Sequence, residues 1–185
     1  MLATNRIILR RFLPDDGPDL FEYLSDPEVA RFEPYAPFTL EQALKETARR
    51  ANDSCFYAVC LRSPDSKQTD STQKLIGNLW FSPCEENEYE LGFVFNRAFW
   101  GKGYAYESSL ALLRDAFSSL PVRCVTALCN IENLSSQRLL ERLGFTSDGS
   151  VRQSLWFGKN AAGLPYMDSS YTYTLFPGDL PGDSI

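Results

Sequence analysis

The chain has 185 residues, of which 44% are hydrophobic and 23% charged, and a net charge of −6. That is enough for one domain with its own core, and no apolar run is long enough for a bilayer span. The acidic balance argues against a nucleic-acid partner, which would need clustered Lys and Arg, and the absence of histidine rules out a Ser-His-Asp triad, a Cys-His pair and the usual Cys/His zinc sites.

Residues 1–6 lack a signal-peptide h-region, so a cytoplasmic protein with no membrane partner is expected. Residues 7–12 read as a first strand, and Pro14-Asp15-Asp16-Gly17 is turn chemistry. Short helices are expected over 20–24 and 28–32, the second restarted by Ser25-Asp26-Pro27. Thr39-x-x-Gln42 is a capping box that opens a helix to about residue 51. Strands 55–61 and 74–81 flank a polar stretch, 62–73, read as a hairpin loop. An acidic turn, 84–88, leads to a strand over 89–95. A glycine-rich loop follows, and then a helix over 106–120 with Tyr106, Leu110, Leu113, Phe117 and Leu120 on one face. Pro121 ends it. Residues 122–129, apolar in the centre, predict a strand buried on both faces. Residues 133–143 predict a helix, with Gly144 as its left-handed C′ residue. Two strands, 145–153 and 169–175, close the fold around a loop over 157–167. The Pro/Gly-rich end reads as loose. One domain over 1–176 with a tail over 177–185 is therefore expected. Its fold class is mixed α/β: a mostly antiparallel sheet of six to seven strands flanked by helices, with one right-handed parallel crossover at the glycine loop.

That loop, Trp100-Gly101-Lys102-Gly103-Tyr104-Ala105, lies between a strand and a helix. Glycines there leave backbone amides bare, and the helix N-terminus behind them favours negative charge, so the segment is a phosphate cradle. It lacks the Gly-Lys-Ser/Thr of a P-loop, and Tyr106 stands where the dinucleotide fingerprint needs a third glycine. A second segment, Asn133 to Phe145, follows a buried strand. Asn133 as N-cap and Gly144 as C′ residue explain its ends as an ordinary helix. They do not explain its pairing with a glycine loop about thirty residues upstream.

Together the two segments resemble the acyl-CoA diphosphate loop and the second motif of the GNAT N-acetyltransferases. Thr4-Asn5-Arg6-Ile7-Ile8-Leu9-Arg10 and Glu90-Leu91-Gly92-Phe93 resemble the Rim-type branch, which contains ribosomal-protein acetyltransferases. Many family members carry Gln or Arg where this chain has Trp100. The resemblance runs from residue 4 to about 175. It implies acetyl transfer from acetyl-CoA to a primary amine without a metal. The acceptor would be a peptide N-terminus, a polyamine, an amino sugar or an amino acid, and a homodimer is left open. A non-catalytic acyl-CoA sensor would keep the same loop.

The resemblance further implies that Phe93, Val94 and Phe95 bond the pantetheine arm with their backbone. It places Trp100, Gly101, Lys102, Gly103, Tyr104, Ala105 and Asn133 at the cofactor, and gives Ser136 as donor to the departing thiolate. A neutral amine must attack, and without histidine the base must be a carboxylate, a Tyr, a Lys or a water. Glu90, on one strand face with Gly92 and Val94, is the candidate; Asp168 is the reserve. The cysteines, 55, 60, 84, 124 and 129, form no Cys-x-x-Cys, have no adjacent lysine and read as free thiols, so a covalent acetyl-Cys intermediate is not expected.

Overall fold

The computed structural model describes residues 1–62, 73–159 and 165–182, with side chains described outside 154–168. In chain order the elements are β1 (Leu2–Ala3), β2 (Ile7–Arg10), α1 (Gly17–Leu24), α2 (Pro27–Ala30), α3 (Leu40–Ala51), β3 (Phe56–Leu61), β4 (Leu75–Glu85), β5 (Glu88–Phe95), α4 (Tyr104–Ser119), β6 (Cys124–Asn130), α5 (Leu134–Arg142), β7 (Val151–Lys159) and β8 (Pro165–Leu175). Among the described residues the strands form one eight-stranded sheet in the order β1-β2-β3-β4-β5-β6-β8-β7. All neighbours are antiparallel except β5 and β6. The strand beyond the expected six to seven is the two-residue β1, too short to carry a hydrophobic pattern.

The sheet separates two cores. On its rear face Leu91 and Phe95 of β5 pack with Leu112, Leu113 and Ala116 of α4 and with Leu140 of α5. On its front face Ala58, Cys60 and Leu75 pack with Leu20, Tyr23 and Leu24 of α1, and Val94, Tyr35 and Phe38 join them. Alternation along β5 thus puts odd residues behind the sheet and even residues, Glu90 included, in front. Local caps act as the sequence predicts. Thr39 and Gln42 form the reciprocal capping box of α3. Gly144 adopts φ +93, and a Cβ there would run into the carbonyl of Asp179.

Several boundaries differ from expectation. α4 starts at Tyr104, and its buried face carries Ser108 and Ser109 beside Leu112, Leu113 and Ala116. Tyr106, Leu110 and Phe117 only flank that face, and Leu120 is exposed. The Ser108 hydroxyl is satisfied by the Tyr104 carbonyl of its own helix, at 2.8 Å, so its burial leaves no orphan donor. β6 is not buried on both faces: Leu128 is 48% exposed, because the front helices cover β3 to β5 instead. Asp148 and Ser150 form a turn, which delays β7 to Val151. β8 begins at Pro165, so Asp168 lies within a strand, opposite Ser154, and its side chain is outside the described residues. Of the predicted loops, 63–72 and 160–164 are outside them as well. The C-terminal segment is tied down as far as Pro181: Leu180 packs on the rear core, and Arg114 Nη2 donates to the Pro181 carbonyl at 3.0 Å.

Candidate active site

The loop between β5 and α4 is built by local hydrogen bonds. Asn96 Oδ1 accepts from Ala98 N–H at 2.9 Å and caps a single 3-10 turn, Arg97–Phe99. Gly101 and Gly103 then adopt φ +71 and +81, the left-handed region that glycine enters without penalty. Gly103 is the N-cap of α4, and the Gly103 carbonyl accepts the first helical bond from Glu107. The amides of Tyr104, Ala105 and Tyr106 therefore precede any intrahelical partner. They open a 16-residue helix, a favourable seat for an anion. Lys102 does not extend toward that seat: its Nζ turns back to the Ala98 carbonyl at 3.0 Å. Trp100 supplies a fixed contact in place of a polar side chain, with its indole Nε1 donating to the Phe95 carbonyl at 2.7 Å.

Beside the loop the sheet opens. β5 and β6 pair only where Glu88, Tyr89 and Glu90 face Cys124, Val125 and Thr126. Beyond that, β6 stays with β8 up to Asn130, and β5 stays with β4 up to Phe95. Asn96 N–H donates to the Ile76 carbonyl. By antiparallel alternation Val94 then bonds back to β4, while Phe93 and Phe95 turn their backbone groups toward the opening. Of the three residues implied for backbone contact, the geometry thus favours Phe93 and Phe95. A gap edged by strand amides suits an extended amide-bearing chain, and it runs to the bare amides of α4.

Glu90 stands on the front face at the point where the pairing ends. It is half-buried, and burial pushes its carboxyl above the ordinary range, an effect that Arg152 opposes. A raised carboxyl is a better proton acceptor for an amine. Ser136 lies in the first turn of α5, behind the sheet. Its N–H donates to Asn133 Oδ1 at 3.2 Å, and its hydroxyl makes no hydrogen bond among the described residues. Asn133 is occupied as the helix cap, accepting from Ser135 Oγ as well, at 2.9 Å. Glu90 and Ser136 therefore approach the opening from opposite faces of the sheet.

A carboxyl that the sequence did not single out joins the front layer. Glu33 follows α2, and burial pushes it up to about 7, against a hydrogen bond with Tyr35 and the charge of Arg50. The folded state holds this proton more tightly than the unfolded chain does. Stability is therefore withdrawn as pH rises from 4.5 toward about 7, by about 3 kcal/mol at most. Glu33→Gln is expected to flatten that part of the Tm–pH curve; an unchanged slope in the variant would refute the assignment.

This arrangement is a known one. The profile of the acetyltransferase (GNAT) domain matches residues 6–146, and the chain belongs to that family. The uncharacterized N-acetyltransferase YnaD of Bacillus subtilis is 30% identical over 156 residues, 83% of this chain and 87% of its own. Among solved structures, a GNAT-family acetyltransferase from Bacillus anthracis aligns with TM-score 0.78 at 26% identity, covering 95% of this chain and 97% of that one. A spermidine N-acetyltransferase from Vibrio cholerae, solved with CoA and spermine, has the same fold: TM-score 0.71 at 15% identity, over 95% of this chain and 98% of that one. No helix among the described residues is long and apolar enough to cross a membrane.

Proposed function

We propose that the protein transfers an acetyl group from acetyl-CoA to a primary amine by direct attack, in the cytoplasm. The observation that carries this reading is the β5–β6 opening, continuous with the bare amides at the start of α4. The diphosphate of the coenzyme lies on the Gly101–Gly103 loop and the amides of Tyr104 and Ala105. The pantetheine arm runs along Phe93 and Phe95. The thioester carbonyl then sits where β5 and β6 part, and the Phe93 N–H, the nearer of the two to that point, is the one that would polarise it.

The acceptor enters from the front, where Glu90 stands. Its nitrogen attacks the thioester carbon, the C–N bond forms, and the nitrogen's proton passes to Glu90, directly or through a water. As the intermediate collapses the C–S bond breaks. The sulfur leaves as a thiolate that accepts a hydrogen bond from the Ser136 hydroxyl; a thiol pKa near ~8.5 makes it a fair leaving group without a strong acid. The opening motif, residues 4–10, and Glu90-Leu91-Gly92-Phe93 favour the Rim-type branch. A peptide N-terminus, the amine that needs least help to lose its proton, is thus the first acceptor to try. Polyamines, amino sugars and amino acids follow, the first of these in view of the spermine-bound relative. In a thermal melt, acetyl-CoA is expected to raise Tm and ATP to leave it unchanged; stabilisation by ATP alone would overturn the reading.

A further inference from the structure

Thr4 and Arg6 belong to the opening motif, yet in the structure they reach the first turn of α4, and Arg6 the glycine loop as well. Thr4 Oγ1 donates to Glu107 Oε1 at 2.5 Å, and the Arg6 backbone N–H reaches the same oxygen at 3.2 Å. Arg6 Nε and Nη2 lie 2.7 and 2.6 Å from Glu107 Oε2. Arg6 Nη1 donates to the Lys102 carbonyl at 3.0 Å. The guanidinium stacks over the Tyr104 ring, 4.7 Å from its centroid. Nη2 is 3.4 Å from the point where a Cβ on Gly103 would sit. One side chain from β2's leading end thus touches Lys102, Tyr104 and Glu107 and closes over Gly103.

We propose that Arg6 is a positioning residue of the coenzyme diphosphate site, clamping the loop through the Lys102 carbonyl and cancelling the charge of Glu107. The proposal rests on the acetyl-CoA reading of the loop. Two physical effects carry it. A carbonyl held from behind by a fixed fork orients the peptide units that follow it, so the amides of Gly103 and Tyr104 keep their aim. Glu107 sits in the first turn of α4 with its side chain 19% exposed. Its unpaired carboxylate would oppose the positive end of the helix where a diphosphate must bind. The Arg6 side chain is 48% exposed, and without it Glu107 still keeps its bonds from Thr4 Oγ1 and the Arg6 backbone N–H. Loss of Arg6 therefore falls on the ligand rather than on the fold.

The test is calorimetric titration of acetyl-CoA and of acetyl-pantetheine, which lacks the diphosphate, into wild type, Arg6→Met, Arg6→Lys and Arg6→Met/Glu107→Gln. In Arg6→Met the Kd for acetyl-CoA is expected to rise about tenfold or more, with Kd for acetyl-pantetheine within about twofold of wild type and Tm of the free protein nearly unchanged. The double variant should regain the charge part of the loss but not the loop part. Arg6→Lys, with charge but no fork, should fall between, and it replaces Arg6→Met if that variant does not fold. In turnover, KM for acetyl-CoA rises and kcat at saturation holds. An unchanged Kd for acetyl-CoA in the folded variant, or equal loss of both ligands, overturns the proposal while leaving the acetyl-CoA reading intact. A wild type that binds neither ligand overturns that reading, and this proposal with it.

Discussion

Glu90→Gln is expected to lower kcat about a hundredfold, the scale of a lost general base, while leaving the Kd for acetyl-CoA unchanged. The substitution keeps the shape of the side chain on the front face of β5 and removes only its capacity to accept a proton. The pH profile gives the sharper check. Burial raises the Glu90 carboxyl above its ordinary range, and only the ionised form accepts a proton. Activity is thus lost as pH falls through that raised value, and this acid limb disappears in the variant. A variant that keeps both its rate and its acid limb would show that Glu90 is a bystander and that another group or a water chain takes the proton.

Gly103→Val is expected to raise the Kd for acetyl-CoA about a hundredfold or more. Gly103 has φ +81. An L-residue there costs about 1–2 kcal/mol, and a β-branched one more, because its Cβ substituents crowd the flanking backbone. Relief comes from rotating the peptide units around Gly103, which swings the loop amides off the diphosphate. The new side chain would also press on Arg6, whose Nη2 lies 3.4 Å from the Cβ position. The free protein should stay folded, since a Cβ on Gly103 would meet only the Arg6 guanidinium within 4 Å. Titration of a folded Gly103→Val variant that binds acetyl-CoA as wild type does would reduce the loop to a plain turn.

What was legible in the sequence follows the range of the interactions concerned. The capping box of Thr39 and Gln42, the left-handed Gly144 and the glycine loop depend on neighbours within a few residues, and each is where its local chemistry puts it. The single parallel pair also follows from local facts: a strand, a loop, a helix and a strand in succession. The buried face of α4 was misread because periodicity follows large apolar residues. The helix instead turns Ser108 and Ser109 inward, with Ser108 satisfied by its own backbone. Leu128 reads as core by composition but is exposed, because coverage of β6 depends on where α1 to α3 land. The start of β7 is set by a turn at Asp148 and Ser150, whose Ser147-Asp148-Gly149-Ser150 chemistry is legible in the sequence, though the expected strand runs through it. In the site, the carboxylate and the hydroxyl were recognisable as residue types. The grip of Thr4 and Arg6 on Glu107 was not, because it joins residues about a hundred positions apart, and Glu107 reads locally as an acidic residue in a helix's first turn. The raised Glu33 carboxyl was missed because burial, which raises it, depends on the tertiary arrangement and leaves no mark on the residue type.

The most direct measurement is release of free CoA thiol from acetyl-CoA, followed across a panel of ribosomal-protein N-terminal peptides, polyamines, amino sugars and amino acids. The account predicts amine-dependent release with at least one of these classes, lost in Gly103→Val and slowed in Glu90→Gln. Acetyl-CoA that raises Tm yet releases no thiol with any amine would contradict it, and would leave the protein an acyl-CoA-binding module rather than an acetyltransferase.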